Sequence, residues 1–159
     1  MILTDFHEKV LEQMEKNVNL NGLDDVKIQK LDWMNFELED LEIFPDVVIA
    51  ADVVYDPTVL SGLATTLQKL LYFSSTEDNP IGYLACTVRN PTTLEEIKNL
   101  IYQNDLEIMD IFYWKKDFNG FSFEKESEKS FEYEKFFPIS EDSNSCFDVE
   151  ILKIQKKIN

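Results

Sequence analysis

Five consecutive apolar residues, Val47-Val48-Ile49-Ala50-Ala51, stop at a carboxylate, Asp52, and a helix-start signal follows at once in Asp56-Pro57. An unbroken apolar run of strand length belongs to a strand covered on both faces, as in a parallel sheet. Parallel neighbours are reached only through a crossover, usually a helix. The rest of the chain supplies such crossovers. Ile2 and Leu3 read as a strand ending at Thr4-Asp5. A helix is expected from about His7 to Asn19, with Val10, Leu11, Met14 and Val18 on one face and Asn21-Gly22 as its C-terminal cap. Val26 and Ile28 lead through a second strand to Leu31-Asp32-Trp33, and an acidic connection over 35–46 precedes the apolar run. After it, Val59, Leu60, Leu63, Leu67, Leu70 and Leu71 mark a second helix, 74–80 a loop and 81–88 a fourth strand. Asn90-Pro91 repeats the pairing of cap and proline. Leu94, Ile97, Leu100 and Ile101 then mark a third helix. Strands are expected over 106–114 and 146–154.

This order implies an α/β fold: an open, Rossmann-like parallel sheet with helices on both faces. The last two strands have no helix between them, which implies an antiparallel C-terminal hairpin at one edge. The 159 residues fit a single domain, with a charged, aromatic-rich insertion at about 115–145. Phe118, Phe121, Phe123, Phe131, Tyr133, Phe136 and Phe137 give that insertion material for packing.

Composition removes several functions. A net charge of −16 argues against a nucleic-acid footprint, because phosphate neutralisation dominates that affinity, and it favours basic partners or simple solubility. No apolar stretch approaches the roughly 20 residues of a membrane helix, and the start lacks a basic region and a long apolar core, so no leader and no membrane partner are expected. Cys86 and Cys146 lie apart with no metal-ligand neighbour, which fits reduced core cysteines and a cytoplasmic address. His7 is the single histidine, so no metal is expected. Neither a Gly-x-Ser-x-Gly elbow nor a phosphate-cradling lysine loop occurs.

In open α/β sheets, ligands bind beyond the carboxyl ends of the strands. Those ends carry Asp5, Asp32-Trp33, Asp52 with Tyr55, and Arg89-Asn90. A carboxylate there accepts both hydroxyls of a ribose, and an indole stacks on a purine. An acidic residue followed three positions on by Tyr can set a carboxylate and a phenol around one small polar group. Plainer roles stay open for each: Asp5 as a helix cap, Asp32 as a turn residue, Trp33 as a packing aromatic, Tyr55 as packing. Asp52 is the least plain, since a carboxylate after five buried residues needs partners.

Taken in order, Thr4-Asp5-Phe6-His7, Asn17-Val18-Asn19-Leu20-Asn21, Leu31-Asp32-Trp33, Pro45 through Tyr55 and Thr87-Val88-Arg89-Asn90-Pro91 resemble the seven-β-strand, S-adenosylmethionine-dependent protein-lysine methyltransferases with an Asp-x-x-Tyr motif. The resemblance covers about residues 2–114. It implies S-adenosylmethionine as cofactor, with Asp5 on its ribose, Asp32 and Trp33 flanking its adenine, and Ala51 lining its methionine part. It implies Asp52 and Tyr55 as the catalytic pair beside a target lysine. The phrases at 45–52 and 87–91 look most like the members acting on elongation factor 2, which implies that protein as partner and substrate.

The family's first strand and its Gly-rich turn have no counterpart, and nothing reads as Gly-x-Gly. The chain is therefore expected to be the C-terminal part of such an enzyme, a truncated form. The alternative is a non-catalytic short form that keeps the partner-facing surface. A nicotinamide-dependent oxidoreductase fragment also places an acidic residue after the second strand, but leaves the Asp-x-x-Tyr and Asp-Trp pairs unexplained.

Overall fold

The computed structural model describes residues 1–40, 44–73, 79–117, 120–125, 128–131 and 148–158. The chain divides into two compact units, Met1–Asp40 and Leu41–Asn159.

In the first unit, strand β1 (Ile2–Asp5) leads through helix α1 (Glu8–Leu20) to β2 (Lys27–Lys30), which pairs with β1 in parallel from Ile2↔Lys27 to Asp5↔Lys30. This is the crossover that the sequence requires. His7 does not open the helix as expected but caps it: its Nδ1 accepts the Lys9 N–H at 3.2 Å. At the other end Gly22 takes φ +62°, the left-handed turn that a helix terminus commonly needs and that glycine adopts at no steric cost. Val18 is buried and Leu11 and Met14 are half-buried, while Val10, expected on the same face, is 40% exposed. A 3₁₀ turn (Leu38–Asp40) interrupts the acidic connection.

In the second unit, β3 (Val47–Ala51), α2 (Leu60–Tyr72), β4 (Ile81–Thr87), α3 (Pro91–Gln103), β5 (Leu106–Asp117), β6 (Gly120–Lys125), β7 (Glu128–Phe131) and β8 (Val149–Lys156) follow in order. The sheet order is β3-β4-β8-β5-β6-β7. β3 and β4 are parallel, and β8 runs antiparallel to both β4 and β5. The closing strands thus pair antiparallel, and the last strand of the chain lies between β4 and β5. β5 runs on to Asp117, beyond the expected 114, and folds back on β6, so part of the stretch from 115 extends the sheet. Cys146, Phe147, Phe118, Tyr133, Phe136, Phe137 and most of the loop at 74–80 lie outside the described residues.

Helices α2 and α3 pack against each other, α2 touching β4 and β8 and α3 touching β5. Leu60, Leu63, Leu67 and Leu71 of α2 and Leu94, Ile97 and Ile101 of α3 are buried with Leu84, Leu106, Leu152 and Ile154 of the sheet. Gly82 permits the close approach. A Cβ there would sit 3.2 Å from Leu71 Cδ1. On β4 the buried positions alternate, Gly82, Leu84 and Cys86, as a period of two demands. The expectation that Val47–Ala51 is covered on both faces does not hold. Val47 is 52% and Ile49 78% exposed. β3 is an edge strand of its sheet, and the same period of two turns Val47, Ile49 and Ala51 to the face opposite Val48 and Ala50.

Candidate functional site

Every carboxylate named at a strand end is found at a strand end, but the surroundings differ. In the first unit, Asp5 closes β1, and its carbonyl takes the Leu31 N–H at 3.0 Å as the neighbouring strand ends. Its Oδ1 accepts the His7 N–H at 2.7 Å, which fixes the chain's exit toward the α1 cap. Oδ2 takes no hydrogen bond from the described residues. A carboxylate has about four lone-pair sites, so Asp5 keeps most of its accepting capacity.

Asp32 lies just past β2 and folds its own turn. Oδ2 accepts from the Asn35 side-chain amide at 2.8 Å and Oδ1 from the Met34 N–H at 3.0 Å. The Asn35 hydrogen bond, then that of Met34, holds the Asp32 carboxyl below the usual carboxylate range, with the Lys30 cation assisting. Asp32 is therefore ionised at neutral pH and is a turn residue, with lone pairs left for a second task. Trp33 next to it is half-buried.

In the second unit the strand ends of β3 and β4 lie side by side, Ala51 opposite Ala85. Asp52 continues the ladder by one bond, its N–H donating to the Ala85 carbonyl at 3.0 Å. Its φ is +54°. A left-handed backbone at a residue with a Cβ costs about 1 kcal/mol. The other positive φ of a non-glycine residue among those described, at Asp105, belongs to the turn after the α3 C-cap, a place where that conformation is ordinary. Asp52 instead takes it at a strand end, which swings its carboxylate out of the β3 alternation.

That carboxylate meets Arg89. The guanidinium donates to Asp52 Oδ2 at 3.1 Å across 37 positions of sequence, with both side chains 55% exposed. Sequence reasoning placed Arg89 at a strand end and gave it no role. The parallel pairing of β3 and β4 brings their two carboxyl ends together, and no spacing along the chain announces it. Ala51 sits exposed at the end of β3, with its backbone open along the sheet edge.

Tyr55 follows three residues after Asp52, with 61% of its surface exposed. Immediately after it the chain is locked. Asp56 Oδ1 accepts from the Thr58 N–H at 2.9 Å and its hydroxyl at 2.7 Å, which keeps the Asp56 carboxyl below the usual range and starts the helical segment at Pro57. Tyr55 is thus a free phenol on a short span between two fixed points. Among the described residues no group of three His, Cys, Asp or Glu side chains could hold a metal ion, and no helix is long and apolar enough to cross a membrane.

The family model and the sequence relatives agree on one family. Residues 1–100 match the model of a family described as lysine methyltransferase. The human protein-lysine N-methyltransferase EEF2KMT is 39% identical over 107 residues, a stretch that takes in 59% of this chain and 32% of that protein. The protein-lysine N-methyltransferase EFM3 of Saccharomyces cerevisiae is 31% identical over 102 residues, 60% of this chain and 28% of that one. The chain thus spans about a third of the length of these relatives. Among solved structures, the YcgJ protein of Bacillus subtilis superposes with a TM-score of 0.59 at 9% identity, covering 99% of this chain and 82% of that one. Precorrin-6y C5,15-methyltransferase of Geobacter metallireducens gives 0.54 at 12% identity, covering 98% and 66%. These two show a shared Rossmann-like fold. With well over half of its residues matched by the family model, the chain belongs to the lysine methyltransferase family.

Proposed function

We propose that the protein is an S-adenosylmethionine-dependent protein-lysine N-methyltransferase that acts on elongation factor 2 in the cytoplasm. The observation that carries this reading is Asp52, held in a strained backbone at the end of β3 inside an Asp-x-x-Tyr motif, in a chain of this family. The choice of elongation factor 2 rests on the phrases at 45–52 and 87–91 and on the name of the human relative.

The donors at the strand ends of the first unit suit the cofactor. Asp5 offers an oxygen without a partner among the described residues for the ribose hydroxyls. Asp32, ionised, and Trp33 stand at the neighbouring strand end for the adenine. The resemblance assigns the methionine part to Ala51. When bound, S-adenosylmethionine would supply an activated methyl group carried on a sulfonium, with the neutral thioether as leaving group.

The chain's own residues have the other task. The amine attacks only through its lone pair, so its ammonium proton must first pass to solvent. Asp52 gathers the lysine by charge and aims it, and Tyr55 walls the channel through which it enters. Orientation of this kind is a large contributor to catalysis, because the methyl donor is already activated. The acidic surface draws a basic partner by long-range attraction.

The test is transfer of labelled methyl from S-adenosylmethionine to lysine in elongation factor 2, using native protein purified from its own cells. Asp52→Ala is expected to lower transfer at least about 100-fold with the circular-dichroism spectrum unchanged. Full activity in that variant sinks the role of Asp52. No transfer by the wild type sinks the functional reading.

A further inference from the structure

The ion pair between Asp52 and Arg89 is more rigidly founded than its exposure suggests. On one side, Asp52 is pinned by its ladder bond to Ala85 and by its own left-handed backbone. On the other, the Val88 N–H donates to the Asp148 carbonyl at 2.8 Å, and the Arg89 N–H folds back onto the Thr87 carbonyl at 2.9 Å. Asn90 then caps α3, its Oδ1 accepting the Thr92 N–H at 3.0 Å. Both backbones are fixed, so the two side chains meet by construction. Yet a pair this exposed adds little to stability. A strained carboxylate held by a cation that barely stabilises the fold points to use at the site.

We propose that Arg89 is a positioning residue for the methyl acceptor: its guanidinium holds Asp52 Oδ2, leaves Oδ1 for the incoming lysine, and sets a fixed positive charge beside that amine. The proposal rests on the lysine methyltransferase reading above. A free lysine side chain titrates near 10.4, so at neutral pH only about one amine in a thousand carries its lone pair. A lone carboxylate at the site would deepen that deficit by favouring the ammonium form. A cation on the same carboxylate offsets it, because a neighbouring like charge favours the neutral amine. Arg89 therefore lets Asp52 aim the lysine without locking on its proton.

The other described groups of this unit around β3, β4, β8 and α3 do not upset that balance. The Cys86 thiol is neutral, pushed up to about 12 by burial and then by Glu150. Lys98 pairs with Glu150 at 2.9 Å and with Glu95 at 3.3 Å, so both carboxylates are engaged by that ammonium. The Asp56 carboxylate is taken up by Thr58. The Tyr55 phenol is exposed, and Asp148 points its carbonyl to Val88 from an exposed position.

The experiment follows the pH dependence of methyl transfer to elongation factor 2 in wild type, Arg89→Ala and Arg89→Lys. One unit charge at partly solvated range shifts an amine by about half to one pH unit, which is about three- to tenfold in rate near neutrality. Arg89→Ala is expected to lose that factor in kcat at pH 7.5, to recover it at higher pH, and to show no rise in KM. Arg89→Lys is expected to restore the wild-type limb. Calorimetric affinity for S-adenosylhomocysteine is expected to stay within about twofold of wild type in both variants, which shows that the cofactor site is intact. An Arg89→Ala limb parallel to wild type at every pH, or an Arg89→Lys variant no better than Arg89→Ala, overturns the role of Arg89 alone. Absence of transfer by wild type at any pH overturns the underlying reading.

Discussion

The two units solve the end of a strand differently. In the unit of residues 1–40, Asp5 and Asp32 are engaged by neighbours two or three positions away, at His7, Met34 and Asn35. In the unit of residues 41–159, Asp52 is engaged by Arg89, 37 positions away, and its own backbone is strained to make the meeting. The cores differ in the same sense. The first unit buries Val18, Leu31 and Phe36, each with 6–9% of its surface left exposed. The second buries Leu60, Leu71, Leu84, Ile97, Ile101, Leu106, Leu152 and Ile154 completely. Locally built strand ends suit the holding of a ligand by many small contacts. A strand end built across the sheet, on a dense core, suits one charge pair that has to keep its geometry.

The largest expected effect is on stability and separates the two cores. Leu84→Ala should cost about 2–5 kcal/mol, as for other fully buried leucines, while Val18→Ala should cost less than about 2 kcal/mol. Denaturant melts measure both. Equal costs would erase the contrast between the units.

Next comes the partly buried pair of Lys98 and Glu150 in the second unit. Burial pulls the Lys98 ammonium down, but its hydrogen bond and charge interaction with Glu150, then with Glu95, outweigh this and hold it above its ordinary value. Lys98→Met leaves Glu150 without that ion partner and should cost about 1–3 kcal/mol. The sign with pH follows from both shifted groups. The contribution of Lys98 is fully present below the ordinary lysine value near 10.5 and is lost as pH rises through the raised folded value. Cys86 acts in the same direction, because the unfolded thiol ionises from about 9 while the folded one holds its proton to about 12. Stability should be flat near neutrality and decline above pH 9, and Cys86→Ala should soften the decline. A melt that gains stability above pH 9 would contradict both assignments.

Much of this was legible in the sequence because it is local. Asp56-Pro57 and Asn90-Pro91 start helical segments as their spacing says, since capping needs only a side chain and an N–H two residues on. The leucine stripes of α2 and α3 lie inward because helical period and burial coincide. The shift of the α1 cap to His7 was missed because an imidazole is an uncommon cap, and Asp5 supplied the more familiar residue type. The exposure of Ile49 was missed because an apolar run reports the preference of its residues, not the position of the strand in the sheet. Arg89 lacked a role for a related reason. Its partner is chosen by the parallel register of β3 on β4, a long-range fact that no spacing along the chain encodes.

The proposed function divides the labour, with Asp5, Asp32 and Trp33 on the ribose and adenine of the cofactor and Asp52 on the lysine. Calorimetric titration of S-adenosylmethionine into the native protein and two variants tests it most directly. Asp5→Asn removes a charge-assisted acceptor and should weaken binding about ten- to a hundredfold, whereas Asp52→Asn should leave affinity within about twofold. Equal weakening by the two substitutions, or no binding by the wild type, would contradict that division.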